Sequence, residues 1–185
     1  PFGLHFDEKR FSRYMGRTSR ELFGDLLREN GRSDLDLDTV VRYKHERYLA
    51  AFERGEVAPI EGAVDLIHRL HAAGLPLALA TSSWERVMET VLDRFAIRRF
   101  FASAISGSTL PASKPDPAIY RMSAERLGIA PKDCMVLEDT AAGIMAAKRA
   151  GMRVIAYRNP NSGVQDLTGA DRIVGRMADI RAEDL

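Results

Sequence analysis

With 185 residues, 45% of them hydrophobic and 29% charged, the chain has a globular make-up and room for one ordinary domain plus a small accessory one. A formal net charge of +1 excludes a strong field of either sign, so neither nucleic acid nor a membrane is an expected partner. The single cysteine, Cys134, excludes an internal disulfide framework, and no apolar run reaches membrane-spanning length; a cytoplasmic monomer without a signal peptide is the expectation.

Residues 1–57 read as helical, with no convincing strand. Asp7 can cap a short helix toward Met15, with Glu8 and Lys9 in its first turn, and Gly16 breaks it. Thr18 or Ser19 can cap a second helix that stops at Asn30-Gly31. Asp38 starts a third, closed by Gly55, in which Val40, Val41, Lys44, Tyr48, Ala51 and Phe52 share one face. From residue 58 the pattern changes to helix alternating with strand. AVDLIHRLHAAG is a helix and LPLALA a strand; SSWERVMETVLDRF is a helix and FFASAI a strand. PAIYRMSAERLG and AAGIMAAKRAG are helices placed before and after the strand CMVLED, and MRVIAY and DRIV are strands. Alternation of this kind predicts βαβ units and a mainly parallel sheet, hence an α/β core at 58–185 behind a helical domain at 1–57.

Ligands bind such sheets beyond the carboxyl ends of the strands. Thr81-Ser82-Ser83 follows LPLALA, a loop with Lys114 in SKPDP follows FFASAI, and Glu138-Asp139 follows CMVL. Hydroxyls at a helix N-terminus suit a phosphate, although Ser82 or Ser83 could equally cap the helix near Trp84. Asp116 and Pro117 start the next helix cleanly; Lys114 beside them is a partner for phosphate or carboxylate, or a solvated loop lysine. Two adjacent carboxylates at a strand end suit Mg²⁺, which binds through one or two carboxylates and keeps several waters. The competing reading has Asp139 capping a helix and Glu138 in water. Phosphate hydroxyls, a cation and a carboxylate pair on one rim point together to phosphoryl transfer, though none of them is an obvious nucleophile.

The segments ALATSS, SKPDPAIY, AERLGIAPKDCMVLEDTAAGIMAAKRAGM and FGLHFDEKRFSRYMGRTSREL resemble the haloacid dehalogenase superfamily, in its branch of β-phosphoglucomutase-like phosphatases with a small helical cap. The resemblance implies an aspartate nucleophile at the end of the first strand, forming an aspartyl-phosphate, and a second aspartate as general acid and base. It implies that Thr81 bonds the transferring phosphoryl group, that Lys114 balances its charge, and that Glu138 and Asp139 hold Mg²⁺. The first motif, an apolar strand ending in Asp-x-Asp, is absent from residues 1–185. In the family that strand is central, between those ending at Thr81 and Glu138, so a leading segment upstream of Pro1 is expected.

In the cap, the Gly16-Arg17-Thr18-Ser19 loop and Lys44 resemble family positions that face the substrate, so Arg17 and Lys44 join Ser82, Ser83, Thr81 and Lys114 as candidate binders of a small phosphorylated metabolite. Each could also be a solvated charge. Trp84 reads as packing between layers, and His68 and His71 as surface residues without metal spacing. A Mg²⁺-dependent phosphatase of a sugar phosphate is the leading reading. A phosphomutase, and a non-catalytic binder lacking the nucleophile, are the alternatives.

Overall fold

The structure, a computed structural model, describes residues 2–5 and 11–184; the expected cap at Asp7, with Glu8 and Lys9, lies outside the described residues. Two helices open the described fold. Helix α1, Ser19–Glu29, starts from a complete capping box: Thr18 accepts from the Glu21 amide while Glu21 accepts from the Thr18 amide. Helix α2, Leu37–Glu53, starts two residues earlier than the sequence predicts. Asp36, not Asp38, is its cap, accepting from the amide and hydroxyl of Thr39, because Asp38 is drawn outward into an ion pair with Arg20.

The buried face of α2 also differs from the expected one. Val40, His45, Leu49 and Phe52 are buried, while Lys44 is exposed and Tyr48 half-buried. Turning the helix this way buries Leu49 together with the His45 ring and keeps the Lys44 ammonium on the surface, where it meets the Ser19 hydroxyl. Phe52 then reaches Phe95 across a ring separation of 5.5 Å, joining this helical pair to the rest of the molecule.

The remainder alternates helix and strand as predicted: α3 (Ala63–Ala72), β1 (Leu77–Thr81), α4 (Glu85–Arg94), β2 (Phe101–Ser106), α5 (Ala118–Leu127), β3 (Met135–Glu138), α6 (Ala141–Arg149), β4 (Arg153–Tyr157) and β5 (Arg172–Val174). Every strand pairing is parallel. Strand residues alternate between two faces, and each face has its own helices. Val136, Val154 and Ala156 pack beneath Ile119, Tyr120, Ile144 and Ala147 of α5 and α6. Ile155, Tyr157 and Val174 pack against Leu66 of α3, while Leu79 and Ala104 meet Met88 and Leu92 of α4. The result is a three-layer α/β arrangement.

The sheet is not continuous. β1 pairs with β2, β4 pairs with β3 on one side and β5 on the other, but β1 and β3 do not pair with each other. Between them lies a cavity of about 440 Å³ whose walls include Leu77–Ala80 of β1, Met135–Leu137 of β3 and the ring of Tyr120. Leu137, apolar and in mid-strand, is 41% exposed there. Two parallel strands thus turn unpaired edges toward one apolar slot, an arrangement that leaves backbone donors and acceptors without their usual partners. Among the described residues no helix is long and apolar enough to cross a membrane.

Candidate active site

Parallel register puts the strand ends in rows: Thr81 stands opposite Ser106, and Glu138 opposite Ala156. The loop from β2 to α5 carries Lys114, joined to Pro115 by a cis peptide bond, back over this rim. Lys114 is 5% exposed, and its ammonium lies 2.5 Å from Glu138 Oε1 and 3.4 Å from the Ala80 carbonyl oxygen. The lysine therefore bridges the carboxyl ends of β1 and β3 across the mouth of the slot. It is not a solvated loop residue.

Glu138 is equally engaged. At 8% exposure it accepts from Lys114 and the Tyr120 hydroxyl on Oε1, and from the Asp139 amide, the Thr140 amide and the Thr140 hydroxyl on Oε2. Burial pushes this carboxyl up, but the Lys114 ammonium and the converging donors outweigh burial and hold it below its ordinary value. The Tyr120 hydroxyl is pushed well up by its own burial and by the Glu138 charge, so it stays a donor. Small residues make this density possible. A Cβ on Gly143 would stand 2.0 Å from the Glu138 carboxyl, so α6 can approach β3 only with glycine there.

Asp139 is held differently. Its Oδ2 accepts from Asn159 Nδ2 at 2.6 Å and from the Ser162 hydroxyl at 2.5 Å, and Oδ1 bonds none of the described residues. It does not cap α6; Thr140 does, accepting from the Gly143 amide. The two adjacent carboxylates thus have separate duties: Glu138 anchors the buried lysine and Asp139 keeps one oxygen available. No three His, Cys, Asp or Glu side chains among the described residues are grouped to hold a metal on their own. One free carboxylate oxygen on a polar rim does fit Mg²⁺, which takes few protein ligands and retains water.

The hydroxyls after β1 divide similarly. Thr81 Oγ1 accepts from the Ser83 amide at 3.1 Å, which turns the backbone back at the strand end. Ser82 donates to the Gly16 carbonyl oxygen at 2.5 Å, tying the core to the loop before α1. Neither Ser82 nor Ser83 caps α4, whose start at Trp84 has no side-chain cap. Gly16 has φ +83° and lies so close to Thr140 that a Cβ would come within 2.3 Å of its hydroxyl. The loop that carries Arg17 is therefore pinned between Ser82 and Thr140, above the rim.

Arg17 itself pairs with Glu21 at 3.1 Å, and its buried Nε has no hydrogen-bond partner. Glu21 also accepts from Ser113, the neighbour of Lys114. Lys44 lies farther out, donating to Ser19 at 3.1 Å, and does not touch Thr81, Lys114 or Asp139. Between the two parts of the molecule runs a crevice of about 440 Å³ walled by residues such as Ser19, Arg20, Glu21, Arg42, Thr109 and Ser113. Trp84 stacks on His45 at 5.1 Å along it, so it does pack between layers. The edges of His68 and His71 meet Phe100, away from the rim.

Sequence reasoning missed Tyr120, Asn159 and Ser162. The same rule that found the other clusters would have found two of them. The end of MRVIAY reads Arg158-Asn159-Pro160-Asn161-Ser162, polar residues on the same rim, one strand further on.

A family model described as haloacid dehalogenase-like hydrolase matches residues 1–157. The chain belongs to this family. Among its relatives, a haloacid dehalogenase-like hydrolase domain-containing protein of Arabidopsis thaliana is 31% identical over 80% of this chain and 48% of that protein. Protein CbbY of Cereibacter sphaeroides is 32% identical over 79% of this chain and 65% of its own length. The chain thus spans about half to two-thirds of the length of these curated relatives. The crystal structure of CbbY from Rhodobacter sphaeroides in complex with phosphate superposes with a TM-score of 0.84 at 28% identity, over 96% of this chain and 81% of that one. The haloacid dehalogenase-like fold, with its cap and parallel sheet, is therefore that of the present chain.

Proposed function

We propose that this chain carries most of the active site of a Mg²⁺-dependent phosphatase acting on a small phosphorylated metabolite, with sugar phosphates as the substrate class. The observation that carries this reading is the position of Lys114, buried and reaching from the end of β1 to Glu138 at the end of β3 across an unfilled strand slot. A buried cation at the mouth of that slot has charge available for an incoming anion and for a carboxylate delivered by a strand in the slot.

In this reading residues 1–57 form the cap and 58–185 the core. A parallel strand from upstream of residue 1 fills the slot and ends in the attacking aspartate. Its carboxylate oxygen forms a bond to phosphorus as the ester P–O bond breaks, and the second aspartate of that Asp-x-Asp motif gives the departing alcohol its proton, which it takes back from the attacking water in the next step. Water then cleaves the acyl phosphate, releasing inorganic phosphate and regenerating the carboxylate. Thr81 donates a hydrogen bond to the transferring group, Lys114 neutralises charge shared by nucleophile and phosphate, and Glu138 fixes Lys114. Asp139 would hold Mg²⁺ through Oδ1; when bound, the ion neutralises charge on the phosphoryl oxygens. Arg17, whose guanidinium is partly exposed beside Glu21, and Lys44, beside Ser19 of the crevice wall, bind the non-reacting part of the substrate. The hydroxyls of Ser19, Thr109 and Ser113 suit a polyol there, and a CbbY mutant has been crystallised with xylulose-(1,5)bisphosphate.

The test is phosphate release by the full-length protein from a panel of sugar phosphates, with Mg²⁺ and with chelator. Release that requires Mg²⁺ is expected. No release from any phosphomonoester, or an equal rate under chelation, would overturn the reading. Conversion of the sugar phosphate to its isomer without phosphate release would assign a phosphomutase instead.

A further inference from the structure

The loop after β4 is built around Asp139 in more detail than a surface connection needs. Asn159 Oδ1 accepts from the Asn161 amide at 3.0 Å, which settles the orientation of the side-chain amide and turns its NH₂ toward Asp139 and Ser162. From there Nδ2 donates to Asp139 Oδ2 at 2.6 Å and to the Ser162 hydroxyl at 2.9 Å. Ser162, only 2% exposed, donates its own hydroxyl hydrogen bond to the same Oδ2. Both donors thus fall on one carboxylate oxygen.

The loop is in turn braced. Pro160–Ser162 is a short 3₁₀ turn. Gln165 donates to the Ser162 carbonyl at 2.9 Å and to the Ser12 carbonyl at 2.8 Å, and accepts from the Ala141 amide at the start of α6. Gly163, with φ +64°, lets the loop sit against Ser12, whose hydroxyl a Cβ would meet at 2.4 Å.

We propose that Asn159 and Ser162 are positioning residues for cation binding: by occupying Oδ2 of Asp139 together, they fix the carboxylate and present Oδ1 to a divalent ion. The inference rests on the phosphatase reading above, and it adds residues from the loop after β4 to a rim otherwise made at the ends of β1, β2 and β3. Two donors on Oδ2 stop the carboxylate rotating, so a metal ligand is preorganised before the ion arrives. Neither residue touches the reacting phosphate, so they set affinity for the ion rather than the rate once it is bound.

The experiment titrates Mg²⁺ alone into the full-length protein by calorimetry, for wild type, Asn159→Ala, Ser162→Ala and the exposed loop control Val164→Ser, followed by turnover against Mg²⁺ concentration. Ser162→Ala removes one hydroxyl only, and thermal unfolding without metal checks that each variant is folded. Expected is weakening of Mg²⁺ binding by about tenfold in Asn159→Ala and Ser162→Ala, with kcat at saturating Mg²⁺ within about threefold of wild type and the control unchanged. Equal Mg²⁺ affinity in wild type and both variants would overturn the positioning role and leave the phosphatase reading standing. A wild-type protein that binds no Mg²⁺ and turns over without it would remove both. A loss of kcat with no change in Mg²⁺ affinity would also overturn the inference, since it assigns these groups to catalysis.

Discussion

At the residue scale the site depends on one buried ion pair and the donors that complete it. Lys114 and Glu138 gain little net stability from each other, because both were taken from water, but neither tolerates losing the other. Lys114→Ala is expected to destabilise the folded protein by about 3–5 kcal/mol in urea unfolding, as Glu138 is left charged and unpaired. Combining it with Glu138→Gln should recover much of that loss; a double variant as unstable as the sum of the singles would show that the pair is not coupled. Tyr120→Phe removes one of five donors from Glu138, and a cost of about 1–3 kcal/mol follows. Asp139→Asn should fold normally, since its one protein-facing oxygen can still accept, yet turnover at fixed low Mg²⁺ should drop about 10- to 100-fold.

At the element scale the rim is assembled by close approach, and two glycines set it. Helix α6 lies against Glu138 only because Gly143 lacks a side chain, and the loop before α1 lies against Thr140 only because Gly16 does. Gly143→Ala forces the helix off the strand it caps, with an expected cost of about 1–3 kcal/mol in thermal unfolding and a matching loss of turnover. Unchanged stability and rate in that variant would mean that α6 and β3 part more easily than their packing indicates. The sequence shows the elements well because each obeys a local rule. Hydrophobic period marks α3 to α6, short apolar runs mark β3 and β4, and Thr18 with Glu21 marks the start of α1. The start of α2 was legible only to within two residues, since Asp36 and Asp38 are chemically identical caps and the ion pair of Asp38 with Arg20 is made by a partner from another helix.

At the scale of the whole molecule, cap and core meet along the His45–Trp84 stack and the crevice beside it. Burial, with the Lys44 charge adding to it, lowers His45 from 6.5 to about 4, so the folded protein holds it neutral. The unfolded chain takes up a proton near 6.5 that the folded one refuses. Stability is thus full above pH 6.5 and falls as pH drops toward 4, by at most about 3 kcal/mol. Thermal unfolding across this range should show the slope, and His45→Gln should flatten it; an identical slope in that variant would assign the titration elsewhere. The slot between β1 and β3 makes a second prediction at this scale. If a strand fills the slot as proposed, amides of β1 and β3 that bond neither β2 nor β4 should exchange hydrogen in the full-length protein as slowly as core amides; rapid exchange there would mean the slot stays open. The sequence by itself determined the order of helices and strands and the rim on which Thr81, Lys114 and Glu138-Asp139 gather, since periodicity and the polar residues at strand ends are local in the chain. Only the tertiary structure decided that Glu138 serves Lys114 while Asp139 keeps a free oxygen, that Asn159 and Ser162 stand behind it, and that β1 and β3 are parted by a slot. Each of these depends on which atoms from distant segments arrive within 3 Å of one another, and no local pattern encodes that distance.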